Sequence, residues 1–167
     1  HSYSSAASDV YKRQSLLWEP WEILKDDNTP YKVFSPFYRK GCLKKHAGPR
    51  EVVAKNDYSF SDKLAFSSDI DSLNLLPKHH WKDKFNKHWK IGERSAMEKY
   101  IHFRDNGLTG YKEGRNFPAQ ENVSVLSPHL HFGEISPNQI WFDNKSAYPE
   151  KDVAHFHSEL GLSLIHI

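Results

Sequence analysis

The sequence carries a single cysteine, Cys42, and a single methionine, Met97, in 167 residues. One thiol cannot make an internal disulfide, so the fold cannot rest on cross-links, and a reducing compartment, the cytoplasm by default, is the expected setting. Long hydrophobic runs are missing as well. No window approaches the ~20 apolar residues of a membrane helix, and "HSYSSAASDVYKRQ" at the start has no continuous apolar stretch of the kind a secretion signal needs. The net charge is only +2, so charge alone does not announce a nucleic-acid or membrane-surface binder. What is present is 38% hydrophobic and 14% aromatic residues, enough to bury a core and more aromatic than disordered chains are.

"ENVSVLSPHLHFGEISP", Glu121 to Pro137, sets out His129, His131 and Glu134 at a spacing that raises the question of a metal. Ser127-Pro128 reads as a helix start, with serine as N-cap and proline where its missing N–H is not needed. At about 100° per residue His129 and His131 then point to nearly opposite sides, and only His131 and Glu134 share a face. The three do not converge, so no metal site is expected. A strand would align the histidines, but Ser-Pro and Gly133 argue against one. A buried histidine bonded to backbone is the commoner case, and neither histidine is assigned a catalytic role.

Along the chain, "SLLWEPWEILKDDNTPYKVFSPFYRKG" reads as short apolar runs broken by Pro20, a polar turn from Asp26 to Pro30 and an extended dipeptide before Pro36; "YKVF" alternates like a short strand. From Leu43 to Pro77 no helical period persists, which predicts a surface linker too long for a simple turn. "KHHWKDKFNKHWK", Lys78 to Lys90, interleaves Trp81, Phe85 and Trp89 with lysines. It reads as a solvated face with the three aromatics as anchors at helical spacing, or as a basic-aromatic surface that tracks a phosphate backbone. Beyond it, Met97, Tyr100, Ile101 and Arg104 fall on one helical face, closed by Gly107 and Gly110. A second Ser-Pro start at Ser136-Pro137 puts Ile140 and Trp141 inward. In "PEKDVAHFHSEL" Val153, Phe156, His157 and Leu160 form a stripe. Three helix starts in a row predict a helical domain.

Residues 1–14 and 161–167 look foreign to the rest, like translated adapter sequence. Between them the chain resembles the photolyase/cryptochrome family. "LLWEPWEI" with "YKVFSPFYRKG" resembles the exit from that family's N-terminal antenna-binding α/β domain. "IGERSA", "YKEGRNFPA" and "LSPHLHFGEISPNQIW" resemble the opening of its helical FAD-binding domain, and "FHSELG" the helix that begins its lesion pocket. The resemblance implies a mainly α fragment, with residues 15–41 ending the α/β domain, 42–77 forming the interdomain linker and 78–160 starting the helical domain.

It also implies an answer for the Ser-Pro stretch: a loop around the FAD diphosphate, with Ser124 and Ser127 donating to phosphate oxygens, Leu126 positioning the loop and the Tyr111 hydroxyl reaching the same phosphates. The family usually has "TSRLS" where this chain has "VSVLS", so Val123 brings no donor and Val125 no charge. Glu159 matches the family glutamate that hydrogen-bonds a pyrimidine dimer, which requires it to be protonated or held near a donor. Arg115, in "GRNFP", matches an arginine near the lesion phosphate. Leu162 and Ser163 stand where the family has tryptophan and arginine. The implied parent is a monomeric deoxyribodipyrimidine photo-lyase acting on pyrimidine dimers in DNA, with its antenna chromophore in another domain. A cryptochrome-type photoreceptor, a cofactor-free basic-aromatic nucleic-acid module, and an inactive truncated translation are the competing readings.

Overall fold

A computed structural model describes residues 16–18, 21–45, 49, 52, 59, 69–75, 79–143 and 148–163. The segment 1–14 and most of the expected linker lie outside the described residues. The chain divides into two compact units, residues 1–52 with 92–167, and residues 53–91.

In the first unit Leu17 and Ile23 enter the core, and a single antiparallel bridge, Leu24 to Pro30, closes a polar turn. The Asp27 carboxylate fastens that turn by accepting from the Thr29 amide at 3.0 Å and the Thr29 hydroxyl at 2.6 Å. The alternation in "YKVF" does not produce a strand, and there is none among the described residues. Val33 is extended, but helix α1 starts at Phe34 and runs as Phe34–Pro36, Phe37–Cys42 and Leu43–Lys45, the middle segment wound as a π-helix. Pro36 therefore sits in the first turn, where it gives up no helical hydrogen bond, rather than behind an extended dipeptide. Phe37, Tyr38, Gly41 and Cys42 are buried, and a methyl on Gly41 would overlap the Ile23 side chain. Burial pushes the Cys42 thiol up to about 12.

The remaining helices of this unit are α3 (Glu93–Asn106), α4 (Tyr111–Gly114), α5 (Ser127–His131), α6 (Pro137–Asp143) and α7 (Glu150–Ser163). On α3 the buried stripe is Ala96, Tyr100 and Phe103, with Met97 half-buried beside it. Ile101, expected on the inner face, is exposed. The stripe follows i, i+4, i+7 from Ala96, whose side chain is small enough to admit a close neighbour. Arg104 is held at the rim by Asp105 at 2.8 Å and Asp143 at 2.9 Å, and Asp143 also accepts from the Tyr100 hydroxyl at 2.8 Å. Gly107 caps α3, but at φ −112 it uses no left-handed conformation. Gly110, at φ +80, does, and it serves the start of α4 rather than the end of α3.

The α7 stripe is as read: Val153, Phe156, His157 and Leu160 are buried, Phe156 meets Phe103 at 5.0 Å and Trp141 stacks on His157 at 3.9 Å. Helix α7 continues past Leu160 to Ser163, and Gly161 is buried against Tyr38 and Trp18. The segment expected to be foreign from residue 161 thus begins within a helix.

Short helix α4 is too brief to hold itself, since nucleation costs more than one turn returns. Asp152 of α7 supplies the difference. Its buried carboxylate accepts from the Gly110 and Lys112 amides, both at 3.0 Å. Burial opposes its ionisation, but the two amide bonds, with Lys151 and His155 nearby, outweigh that and hold the carboxyl below the usual range.

In the second unit, a 3-10 turn at Ile70–Leu73 precedes helix α2, Trp81–His88. Trp81 and Phe85 are exposed and pack edge-on against each other at 5.5 Å, so they are not the anchors expected of them.

Asp152→Asn is expected to destabilise the first unit by about 1–3 kcal/mol at pH 7, the scale of two lost hydrogen bonds to a charge. Because the folded pKa is depressed, the native advantage is present above the unfolded value of about 3.9 and is lost as pH falls through the lower folded one. Melting curves of both proteins from pH 7 to pH 3 should show the gap in Tm closing below about pH 4. Gly41→Ala should cost about 1–3 kcal/mol through overpacking against Ile23, read as a lower urea midpoint at unchanged slope.

Candidate functional site

Tyr111 opens α4 and is buried. Its ring meets Phe103 at 5.8 Å and Phe156 at 5.4 Å, both edge-on, with His155 at 6.2 Å. Three aromatic neighbours fix the ring plane, and burial raises the phenol above its ordinary pKa, so it remains a hydroxyl donor at neutral pH. One turn later Arg115 lies over the same ring, its guanidinium carbon 5.4 Å from the centroid. Its Nη1 is 2.6 Å from Glu159 Oε1, and both side chains are about a third exposed. Glu159 raises the Arg115 pKa further, so the guanidinium stays charged.

Three of the sequence-predicted site residues, Tyr111, Arg115 and Glu159, are thus gathered into one cluster at the junction of α4 and α7. The Glu159 carboxylate lies beside the Arg115 guanidinium. A half-exposed pair of this kind contributes roughly 1 kcal/mol or less to stability, so its value is positional.

The other three, Ser124, Leu126 and Ser127, lie on the loop entering α5. Asn122 holds the start of that loop: its side-chain amide donates to the Gly107 carbonyl at 2.8 Å and the Thr109 carbonyl at 3.3 Å. It fills the space over Gly114, where a methyl would overlap it. Leu126, 1% exposed, anchors the other end. Between the anchors Val123 and Val125 are exposed, Ser124 is half-buried and Ser127 is exposed. Val125 has φ +51, a left-handed conformation that costs a β-branched residue about 1–3 kcal/mol. Leu126 follows in the right-handed region, and that alternation turns successive amides toward one side, as in anion-binding nests. Ser127 is the first residue of α5 rather than its N-cap. Leu126 holds the cap position, without a side-chain bond.

His129 is buried and its Nδ1 bonds Glu134 Oε2, while His131 is exposed against Phe132. The expected sharing of a face by His131 and Glu134 therefore does not occur. Helix α5 ends at His131, Gly133 adopts φ +70, and Glu134 folds back under His129, so the angular rule no longer reaches it. Among the described residues no group of three His, Cys, Asp or Glu side chains could hold a metal ion, and no helix is long and apolar enough to cross a membrane.

Asn122 and Asp152 were not picked out in the sequence as site-building residues. For Asn122 the one trace is Gly114, whose missing side chain leaves room for a neighbour that it does not name. For Asp152 it was a carboxylate bordering an apolar stripe.

No model of a protein family matches the chain. Curated relatives do. A deoxyribodipyrimidine photo-lyase of Agrobacterium fabrum is 36% identical over 154 residues, 87% of this chain and 31% of the relative. A second, from Alkalihalophilus pseudofirmus, is 33% identical over 135 residues, 77% of this chain and 26% of the relative. Cryptochrome-1 of Arabidopsis thaliana is 26% identical over 166 residues, 88% of this chain and 23% of the relative. Among solved structures, a bacterial class III photolyase from Agrobacterium tumefaciens superposes with a TM-score of 0.66 at 32% identity, covering 94% of this chain and 35% of that one. The chain spans about a third or less of the length of the relatives it matches. The identity to two photo-lyases over most of this chain, with the fold shared with a solved photolyase, places the chain in the photolyase/cryptochrome family.

Proposed function

We propose that the chain is the first part of the flavin-binding helical domain of a deoxyribodipyrimidine photo-lyase, which repairs cyclobutane pyrimidine dimers in DNA. The observation that carries this is the cluster of Tyr111, Arg115 and Glu159 beside a loop whose two ends are fixed by Asn122 and Leu126. The chemistry of the loop suits a diphosphate. Residues 122–128 contain two serine hydroxyls and no carboxylate, and the turn at Val125 presents main-chain amides. Helix α5 has only five residues, so its dipole adds little and the donors themselves carry the binding. With valine at 123 and 125 those donors are neutral.

FAD held there would supply the light-driven electron that opens the dimer ring. The chain's own residues bind and orient. Ser124, Ser127 and the Tyr111 hydroxyl hold the diphosphate, and Leu126 sets the loop. Arg115 takes a phosphate of the flipped nucleotide, and Glu159, kept in place by Arg115, hydrogen-bonds the dimer. In this reading the protein works as a monomer. The cryptochrome relative leaves a photoreceptor on the same scaffold as second reading, and its lower identity than the two photo-lyases favours the photo-lyase.

In the complete protein, Ser124→Ala combined with Tyr111→Phe is expected to lower bound FAD after purification at least threefold, read from the 450 nm to 280 nm absorbance ratio; each lost bond to a charged group is worth about 1.5–3 kcal/mol. Unchanged occupancy would remove the assignment. Arg115→Gln should weaken binding of dimer-containing DNA about tenfold and lower the salt slope by about one, with flavin occupancy unchanged. A photoreceptor without affinity for such DNA would show no difference between variant and parent.

A further inference from the structure

A groove of about 320 Å³ lies between α1 and α7, lined by Arg39, Lys112, Lys151 and His155 together with Tyr38 and Ser158. Among the described residues no acidic side chain lines it. Asp152, next to Lys151, is turned away, its carboxylate taken up by the Gly110 and Lys112 amides. No ion pair among the described residues involves Arg39, Lys112 or Lys151. Three permanent cations from three separate elements therefore border one concavity, with the Asp152 carboxylate acting on Lys151 from outside it.

Such a grouping repels itself, and a bound anion relieves the repulsion. The volume is at the lower end of small-ligand sites, larger than one inorganic ion requires. Tyr38 and His155 add two rings to the cationic lining, which suits a flat or cyclic body attached to the anion. The groove adjoins the cluster described above, since His155 lines it and also meets the Tyr111 ring, but neither Arg115 nor Glu159 lines it. Lys151, His155 and Ser158 follow i, i+4, i+7 on one face of α7, whereas Asp152 and Glu159 lie on the adjoining face.

We propose that this groove binds a nucleotide unit, its phosphate held by Arg39, Lys112 and Lys151 and its sugar or base resting on Tyr38 and His155. The unit comes either from a free mononucleotide or from a single strand of DNA. The proposal does not depend on the flavin reading.

The test titrates the 167-residue chain with adenosine monophosphate by calorimetry and with a labelled single-stranded DNA decamer by fluorescence anisotropy. Parent, Arg39→Gln/Lys112→Gln/Lys151→Gln and a control of equal charge loss outside the groove, Lys25→Gln/Lys32→Gln/Lys99→Gln, are compared. Saturable binding of at least one probe is expected, weakened about tenfold or more in the groove variant and less than about twofold in the control. Mononucleotide affinity within about threefold of the decamer's identifies the free nucleotide as the source. Binding of the decamer alone, with a salt slope about two lower in the groove variant, identifies the strand. Should the triple variant fail to fold by circular dichroism, Lys151→Gln alone, at an exposed side chain, is expected to weaken binding about threefold. The proposal is overturned if neither probe binds saturably, or if the control loses as much affinity as the groove variants.

Discussion

The Asp152 carboxylate is the contact on which the arrangement turns. It lies 40 residues from Lys112 and 42 from Gly110 in sequence, and it joins α7 to the start of α4 through two amides. A helix of four residues has no stability of its own, so the direction of α4 is whatever its cap dictates. From that direction follow the Tyr111 ring, packed between Phe103 and Phe156, and Arg115 one turn on, within reach of Glu159. The carboxylate works because it is buried and ionised at once. Two amide donors offset the desolvation that would otherwise protonate it.

Much of this was legible in the sequence, and what was missed has identifiable causes. The stripe Val153, Phe156, His157, Leu160 was readable because α7 is long and its apolar residues hold one period. Helix α6 was readable because Ser136-Pro137 marks its start. The errors fall where one element ends and another begins. Ile101 was placed inward because the period on α3 was counted from Met97 instead of from Ala96, and alanine weighs little in any hydrophobic pattern. Glu134 was paired with the wrong histidine because the helix was extended past Gly133. "YKVF" was taken for a strand because alternation over four residues cannot be told from the approach to a helix when Pro36 is compatible with both.

The site was partly legible, for a different reason. Tyr111, Arg115 and Glu159 were named from a resemblance, and nothing in the local spacing says that residues 44 positions apart meet. Their meeting depends on Asp152, which pattern reasoning has no means to select. Asn122 was hidden in the same way. Its role is to fill the place of an absent side chain on Gly114, and a glycine in a sequence does not say which neighbour it makes room for.

The loop between Asn122 and Leu126 shows what the two valines change. A long basic side chain at position 125 could both tolerate exposure and add charge toward a phosphate, whereas valine is branched, exposed and held at φ +51. An exposed valine gains nothing that would offset the strain, so the conformation serves something other than the side chain at 125. The main-chain amides that it turns to one side are the remaining candidates, since they present the same donors whatever residue stands there. The turn is held by its anchors, Asn122 and Leu126, and not by its exposed tip. In such a turn the amides keep their direction whatever side chain stands at 125, as long as the two anchors hold.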